Sequence, residues 1–268
     1  MSIVEDRLYL TEVDKYPESI YCLHDILGEK SVPFHVHKKG QFVYVEGRGI
    51  YIYTDHQSYF LPSRHFMWIP AGLAHSFDVY NSNVLVRNLY IPVIDTDPGF
   101  FRKCGIYPVN DLLIHMIVQT SNWSGHIEKD NLPAYHFVMA FKYMMAESEN
   151  LALNLAIPTA SDQRLKAVLI YLEENIQESD NFPVIARHFH FSERTLSRLF
   201  QKDLGMSFVR YNTILKMIKA VQLLLEGRLP VNEIAEKVGY HSIPTFSNSF
   251  KKLTGLRPTE FVKMRNVL

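Results

Sequence analysis

The chain has 268 residues, enough for two domains of ordinary size, and 47% of them are hydrophobic, so it can bury a proper core. This composition excludes a wholly disordered, collagenous or coiled-coil protein. The 28 basic and 28 acidic residues cancel, which by itself argues against a strongly anionic partner, since phosphate binding is largely electrostatic. The cancellation hides an asymmetry, because residues 1–160 hold 12 basic and 17 acidic side chains whereas residues 161–268 hold 16 and 11. The C-terminal part is therefore basic, with a net charge of +5 against −5 for the rest.

The beginning of the chain carries no targeting signal that we recognise. The first residues, MSIVEDRLYLTEVD, are acidic and lack the cationic start and apolar run of a secretory signal. No uncharged apolar stretch approaches the roughly 20 residues that span a bilayer. We therefore expect a cytoplasmic protein without a membrane partner.

The first hundred residues have the pattern of short strands. Between about 9 and 92, apolar and aromatic residues alternate, and Gly, Pro, Asn and Asp interrupt them at short intervals. Residues 41–54 predict a hairpin that turns at Gly47-Arg48-Gly49, because glycine accepts the positive φ of a tight turn. Further strands are predicted over 57–61, 65–69, 75–80 and 84–91. Many short antiparallel strands without intervening helices favour a barrel or jelly roll over residues 1–100.

The hydrophobic period becomes helical after Pro98. Residues 109–120 and 132–147 carry apolar side chains at helical spacing on more than one side, so we expect both helices to be sandwiched. The segment 101–150 would therefore either pack on the barrel or form a dimer interface. Residues 151–162 lack strong periodicity and contain Pro158, which predicts a linker.

Residues 163–268 predict a separate helical domain. Several helices begin with a start signal, such as Ser192 before Glu193 and Pro258 in a first turn. The predicted helices cover 163–177, 182–189, 193–203, 207–226, 231–238, 242–253 and 258–266. The fold class is therefore α+β, with an N-terminal β-barrel and associated helices followed by an all-α domain.

This helical part contains an internal duplication. Ile185-Ala186 recurs as Ile234-Ala235, an offset of 49, and the pattern from Thr195 to Gly205 recurs at an offset of 50. The slip of one residue falls in a turn between two helices, where an insertion is least disruptive. Each copy predicts a short helix, a tight turn and a second helix.

The second helix of each copy carries a polar outer side. Its polar residues are Ser192, Arg194, Thr195, Ser197, Arg198 and Lys202 in the first copy, and His241, Ser242, Thr245, Asn248, Lys251 and Lys252 in the second. Their hydroxyl, amide and cationic groups suit a recognition helix in the major groove of double-stranded DNA. An ordinary solvated helix is the alternative for a single copy, and the duplication favours recognition. A connecting helix over 207–226 would be roughly 30 Å long, close to one turn of B-DNA, so both second helices would reach successive grooves.

The second copy also carries a long and specific pattern. Residues 234–261, IAEKVGYHSIPTFSNSFKKLTGLRPTEF, resemble the signature of the AraC-type bacterial transcription regulators. The resemblance covers about 163–265 and implies two helix-turn-helix units that bind a promoter sequence-specifically. In that family the connecting helix often carries Arg where this chain has Lys216, which keeps the charge but not the planar fork of the guanidinium.

The N-terminal part contains a group of candidate metal ligands. His35 and His37 lie two apart on a predicted strand, so their imidazoles point to one side, where Gln41 and His75 could join them. Three nitrogens and one oxygen approach the ligand set of a zinc, nickel or iron site. The stretch from His35 to His75 resembles the two-part motif of cupins, which AraC-type regulators often carry before the DNA-binding half. Gln41 stands where that motif has Glu, and it is a weaker, neutral ligand. The alternative is that these residues are part of the barrel structure or line a polar effector pocket without a metal, so the sequence establishes no cofactor.

These patterns lead to one hypothesis and two alternatives. The hypothesis is a homodimeric, sequence-specific transcription regulator, not an enzyme, controlled by a small molecule or metal bound in the N-terminal barrel. The first alternative is a metal-dependent cupin enzyme carrying a helical module, motivated by His35, His37 and His75. The second is a DNA-compacting protein with little preference between sequences.

Overall fold

The computed structural model describes residues 8–27, 31–47, 49–78 and 84–265. The chain divides into two compact units, one drawn from residues 1–54 and 61–153 and the other from residues 55–60 and 154–268. The division after Leu153 lies inside the predicted linker, 151–162. No helix in the described ranges combines the length and apolarity needed to cross a membrane.

The first unit is built on a six-stranded antiparallel sheet. Its strands lie in the order β10 (Gly125–Ile127), β1 (Ile20–Leu27), β8 (Val84–Ile91), β3 (Gly40–Glu46), β6 (His65–Ile69) and β9 (Gly105–Pro108). β6 and β8 have the predicted bounds, whereas β9 and β10 lie in the segment 101–150 that was expected to be helical. Strands of three or four residues are too short to show a period of two. A short helix, α1 (Leu8–Val13), precedes β1 where the pattern had indicated strand.

Three strands of the same unit belong to a second antiparallel sheet. β7 (His75–Asp78) pairs with β2 (Val32–His35) on one side and with β4 (Ile50–Thr54) on the other. Since β3 pairs with β8 and β6, the predicted hairpin over 41–54 is wrong, and its two strands lie in different sheets. β3 is buried on both faces, whereas β4 alternates between buried and half-buried residues. The predicted barrel is thus two sheets that do not close into one.

Some sequence predictions fall partly outside the described residues. Arg48, at the centre of the predicted turn, lies outside them, as do the last two positions of the strand predicted over 75–80.

Two helices, α2 (Asp111–Gln119) and α3 (Leu132–Ala146), pack against the six-stranded sheet. Leu113 and Ile117 of α2 share a buried cluster with Trp68 of the sheet, and the Phe141 ring of α3 meets that of Phe42 edge-on at 4.9 Å. Packing on the sheet therefore accounts for the buried apolar residues of both helices, whereas Leu112 and Val118 of α2 remain exposed. Short 3-10 turns over Gly99–Arg102, Thr120–Asn122 and Glu149–Leu151 connect these elements.

The second unit is mainly helical. Its helices are α4 (Gln163–Glu174), α5 (Phe182–His188), α6 (Glu193–Leu204), α7 (Phe208–Glu226), α8 (Val231–Lys237), α9 (Ile243–Thr254) and α10 (Pro258–Arg265). Each corresponds to one predicted helix, with ends that differ by at most three residues. α7 contributes twelve buried residues, so it forms the centre of the unit.

The predicted linker contains a strand. β11 (Ala156–Pro158) pairs antiparallel with β5 (Gln57–Leu61), with Ala156 opposite Tyr59. Ile157 and Ala160 pack against the buried cluster of the second unit. Residues 156–160 are therefore held by backbone pairing and by packing, and do not form an irregular connection.

Candidate functional site

The two copies of the duplicated sequence fold in the same way. After α5, the Phe191 amide donates to the Ala186 carbonyl over 2.8 Å, and after α8 the Tyr240 amide donates to the Ala235 carbonyl over the same distance. Both alanines are buried, which lets the two helices of each copy cross closely. The equivalence at an offset of 49 in the sequence is therefore also an equivalence of turn geometry.

The second helix of each copy begins with the same cap. The Ser192 hydroxyl accepts the Thr195 amide at 3.1 Å, and the Ser242 hydroxyl accepts the Thr245 amide at 3.4 Å. In each pair the two hydroxyls also share a hydrogen bond, at 2.8 Å and 3.0 Å respectively. The two serine hydroxyls satisfy helix-terminal amides and the two threonine hydroxyls pair with them, so any contact these groups make with a ligand must be shared with the cap.

The second helices, α6 and α9, are strongly two-sided. Leu196, Phe200 and Leu204 are buried in α6, and Phe246, Phe250 and Thr254 are buried in α9. Of the twelve predicted site residues, Thr195 is half-buried and the others are exposed: Ser192, Arg194, Ser197, Arg198, Lys202, His241, Ser242, Thr245, Asn248, Lys251 and Lys252. Each helix thus presents cations and short hydrogen-bonding groups together on its exposed side.

The connecting helix α7 joins the two copies. Its 19 residues span about 28 Å at 1.5 Å per residue. Lys216, near its middle, is buried, and its Nζ lies 2.7 Å from Asp180 Oδ2 and 5.5 Å from the centre of the Tyr240 ring. Lys216 therefore ties α7 to the turn of the second copy, and its ammonium group is not displayed on the outer surface.

The three histidines singled out in the N-terminal unit come together between its two sheets. His35 of β2 lies opposite His75 of β7, His37 follows β2, and Gln41 lies on β3 of the other sheet. His37, Gln41 and His75 are almost completely buried, and His35 is half-buried. One possible ligand atom from each histidine lies within 4.8 Å of the others.

Backbone contacts orient all three imidazoles in the same way. Each directs Nδ1 at the carbonyl of a residue two positions away: His35 at Pro33 (2.9 Å), His37 at Lys39 (2.6 Å) and His75 at Leu73 (2.8 Å). A carbonyl only accepts, so each Nδ1 carries the hydrogen, and in a neutral imidazole Nε2 then offers a lone pair. Burial lowers the pKa of all three imidazoles, that of His75 to about 3, which favours the neutral form.

The amide oxygen of Gln41 faces these lone pairs. Gln41 Oε1 lies 3.0 Å from His37 Nε2 and 2.9 Å from His75 Nε2, and the buried Nε2 of His35 has no hydrogen-bond partner among the described residues. With the hydrogens on Nδ1, no proton stands between these acceptors. A divalent cation would satisfy all four atoms at once, and three imidazole nitrogens with one amide oxygen suit zinc, nickel or iron(II). The residues present therefore fit such an ion.

Two residues that the sequence analysis did not assign hold Gln41 in place. Its side-chain amide donates to Asn88 Oδ1 at 2.8 Å and to Tyr90 OH at 3.2 Å. Both acceptors lie on β8, which runs beside β3, with Gln41 directly opposite Tyr90. The signal in the sequence was a buried polar side chain in an otherwise apolar strand, but nothing there indicated its partner.

A separate cleft of about 600 Å³ lies between α2 and α3. Its walls combine apolar and aromatic groups with a few polar ones: His115, Met116, Gln119, Trp123, Asn131, Pro133, Ala134 and Phe137. The Trp123 and Phe137 rings meet edge-on at 5.5 Å. A cavity of this size and lining can take a small, largely apolar molecule.

Comparison with known proteins identifies the relatives of this chain. Residues 185–264 match the family model of a helix-turn-helix domain. The HTH-type transcriptional regulator NimR of Escherichia coli (strain K12) is 26% identical over 254 residues, which cover 94% of this chain and 90% of that protein. The HTH-type transcriptional activator RhaS of Shigella sonnei (strain Ss046) is 23% identical over 280 residues, covering 96% and 98%.

A third relative matches over a shorter range. The arabinose operon regulatory protein of Escherichia coli (strain K12) is 31% identical over 112 residues, which cover 41% of this chain and 38% of that protein. All three relatives are named as regulators. This confirms the prediction of a regulator and not an enzyme.

Proposed function

We propose that this chain is an AraC-type DNA-binding transcription regulator, which recognises a specific promoter sequence in the cytoplasm under the control of a divalent cation. In this proposal α6 and α9 contact the DNA, and the cation binds His35, His37, His75 and Gln41.

The duplicated fold supports sequence-specific binding. Two helices with equivalent caps each expose a polar side, and a helix about 28 Å long connects their units, close to the repeat of B-DNA. Residues 161–268 carry a net charge of +5, which is modest for a protein that binds DNA by charge alone. Recognition would therefore depend on the placement of both helices more than on bulk charge.

We assign two roles to the exposed side chains. The cations would position the protein on the phosphates, where an arginine guanidinium can also pair with the edge of a guanine, and the shorter polar groups would read base edges. The positioning set is Arg194, Arg198, Lys202, Lys251 and Lys252, and the reading set is Thr195, Ser197, Thr245 and Asn248. Ser192, Ser242 and His241 lie at the start of the same helices, where the two serines also serve as caps.

The proposed DNA recognition is tested by enriching bound sequences from a pool of random duplexes and titrating the enriched duplex with the protein. Arg198→Ala is expected to weaken binding by about 1–3 kcal/mol if the guanidinium contacts a base. Lys129→Ala, which removes an exposed cation of the N-terminal unit, is the control and should bind as the wild type does. Unchanged affinity of the Arg198 variant would remove that residue from the interface, and a pool without enrichment would favour the compacting protein instead.

The hydrogen-bond acceptors that converge beside Gln41 support the proposed binding of a cation. Three imidazoles are held by carbonyls at Nδ1, two of them turn their Nε2 lone pairs towards the Gln41 amide oxygen, and the buried Nε2 of His35 has no hydrogen-bond partner among the described residues, which leaves a cation as the natural occupant. When bound, the cation would supply a positive charge that links strands of both sheets. Gln41 adds no negative charge, so the ion is expected to exchange more readily than one held by a carboxylate, as suits an effector.

The proposed cation binding is tested on protein that has been dialysed against a chelator. Zinc, nickel and iron(II) are added one at a time, and both bound metal and affinity for the enriched duplex are measured. The His75→Ala protein should not bind the metal, and its DNA affinity should not change when metal is added. His136 is an exposed histidine of the same unit, and the His136→Ala protein should keep both responses. Less than about a tenth of an equivalent of each metal would contradict the assignment.

The cleft between α2 and α3 supports a second candidate effector, a small and largely apolar molecule. Its aromatic wall and three polar side chains are typical of such sites. A library of small aromatic and aliphatic carboxylates and amides, screened by thermal shift, distinguishes the two. Stabilisation that Phe137→Ala abolishes and His75→Ala preserves would assign the effector to the cleft.

We also propose that the protein is a homodimer. Leu112 and Val118 of α2 are 52% and 47% exposed, so this helix displays large apolar side chains to solvent. Light scattering should give twice the chain mass of 31.2 kDa, and Leu112→Glu should reduce it towards one chain. Ile170 of α4 is similarly exposed, so Ile170→Glu is the control and should leave the mass unchanged.

A further inference from the structure

The two recognition helices begin with chemically different residues. The serine caps align Ser192 with Ser242, so the first two helical positions are Glu193 and Arg194 in α6 and Ile243 and Pro244 in α9. The first copy therefore opens with two charges and the second with two apolar side chains. Ile243 is 50% exposed, and Pro244 is exposed beside it.

The packing of the unit does not account for this apolar pair. Phe246 and Phe250 already bury the inner side of α9, and Ser242 caps its first turn. Isoleucine has a lower helix propensity than the straight-chain residues, and an exposed apolar surface gains nothing from contact with water. Proline is favoured in a first helical turn, but this does not explain its apolar neighbour.

We propose that Ile243, with Pro244 beside it, reads thymine by placing its own side chain against the 5-methyl group in the major groove. The inference rests on the proposed DNA binding through α9. Among the groups that base pairs display in the major groove, this methyl group is the one that an apolar side chain can recognise. Residues in the first turn of a recognition helix are those that contact base edges, and Ile243 occupies the first helical position.

The contrast between the copies extends the inference to the DNA sequence. Arg194 and Arg198 of the first copy offer guanidinium groups that pair with guanine, whereas the equivalent positions of the second copy are Pro244 and Asn248. The base sequence contacted by α6 should therefore differ from the one contacted by α9. The groove contacted by α9 should contain thymine at the position that faces Ile243.

The test removes single methyl groups from the DNA. The duplex enriched from a random pool is synthesised with deoxyuridine in place of thymidine at one position at a time, and each version is titrated with the full chain. At one position the wild type should bind about fourfold more weakly, as expected for the loss of one buried methyl group. Ile243→Ala should bind the unmodified duplex about as weakly and should show no further loss at that position.

Matched variants distinguish the contact between Ile243 and thymine from other causes of weaker DNA binding. Ile170→Ala removes the same side chain from an exposed site on α4 and should keep the full methyl effect. Ile243→Val, which retains part of the apolar surface, should give an intermediate effect, and circular dichroism of each variant checks that the helices are intact. An Ile243→Ala protein that still distinguishes thymine from uracil overturns the inference, as does an enriched duplex in which no thymine methyl matters. Failure to enrich any duplex would instead overturn the proposed function on which the inference rests.

Discussion

Replacing Gly239 by alanine should destabilise the C-terminal unit more than the same change at Gly255. Both residues have left-handed backbone, with φ of 75° and 78°. Gly239 lies in the turn of the second copy, and Gly255 ends α9. An alanine forced into this conformation costs roughly 1–2 kcal/mol, partly offset because the unfolded chain loses freedom when glycine is replaced. This conformational cost is the same at both positions, about 1 kcal/mol.

The surroundings of the added methyl group differ. At Gly239 it would lie 2.8 Å from the Gln177 carbonyl oxygen and 2.8 Å from Lys216 Nζ, whereas at Gly255 it would meet nothing within 4 Å. The carbonyl belongs to the backbone, and Lys216 is held by Asp180 at 2.7 Å, so neither moves freely. Overpacking of this kind costs about 1–3 kcal/mol. We therefore expect Gly239→Ala to cost about 2–4 kcal/mol in all.

Urea denaturation can follow the two units separately. The two tryptophans, Trp68 and Trp123, both lie in the N-terminal unit, so their fluorescence reports on that unit, while far-ultraviolet circular dichroism reports mainly on the helices of the other. Gly239→Ala should shift the dichroism transition and leave the fluorescence transition in place. A Gly239→Ala protein no less stable than Gly255→Ala would refute the steric reasoning.

Three further outcomes are expected. Burial lowers the pKa of His65 from its ordinary value of 6.5 to about 4, so between these values the unfolded chain binds more protons and stability should fall with falling pH, by up to about 3 kcal/mol. His65→Leu should flatten this part of the profile in urea denaturation, and an unchanged profile would contradict the assignment. Lys252→Ala should reduce the slope of log affinity for DNA against log salt by about 0.9, whereas Lys129→Ala should not; equal slopes would place Lys252 away from the phosphates. Asn88→Leu should weaken zinc binding by about 10–100-fold by releasing Gln41, and Gln41→Glu should strengthen it; competition with a chelating dye measures both, and wild-type affinity in both variants would exclude this ligand set.

The helix boundaries of the C-terminal unit could be predicted from local signals in the sequence. Serine caps, glycine after the last turn and a period of 3.6 residues determine where α6, α7 and α9 begin and end, because each signal acts within one or two turns of the helix. The strands β5, β6 and β8 were also found with their bounds, since runs of five or more residues rich in apolar and aromatic side chains are visible in the sequence.

Pairing partners could not be read in the same way. β3 and β4 are neighbours in sequence and were predicted to form a hairpin, yet each pairs with strands elsewhere in the chain. The choice of partner depends on which faces become covered once helices pack on the sheet. Local sequence does not contain that information.

For the candidate sites, the sequence determined which side chains are available: His35 and His37 two apart, Gln41 and His75 nearby, and two copies of a polar helix. Tertiary structure alone decided how they are used. It turned the Nε2 atoms of His37 and His75 towards Gln41, supplied Asn88 from another strand to hold that amide, and buried Lys216 against Asp180 when an outward position was equally compatible with the sequence. The physical reason is that residue type and spacing depend on the chain near each position, whereas hydrogen-bond partners and burial depend on segments that meet only after folding.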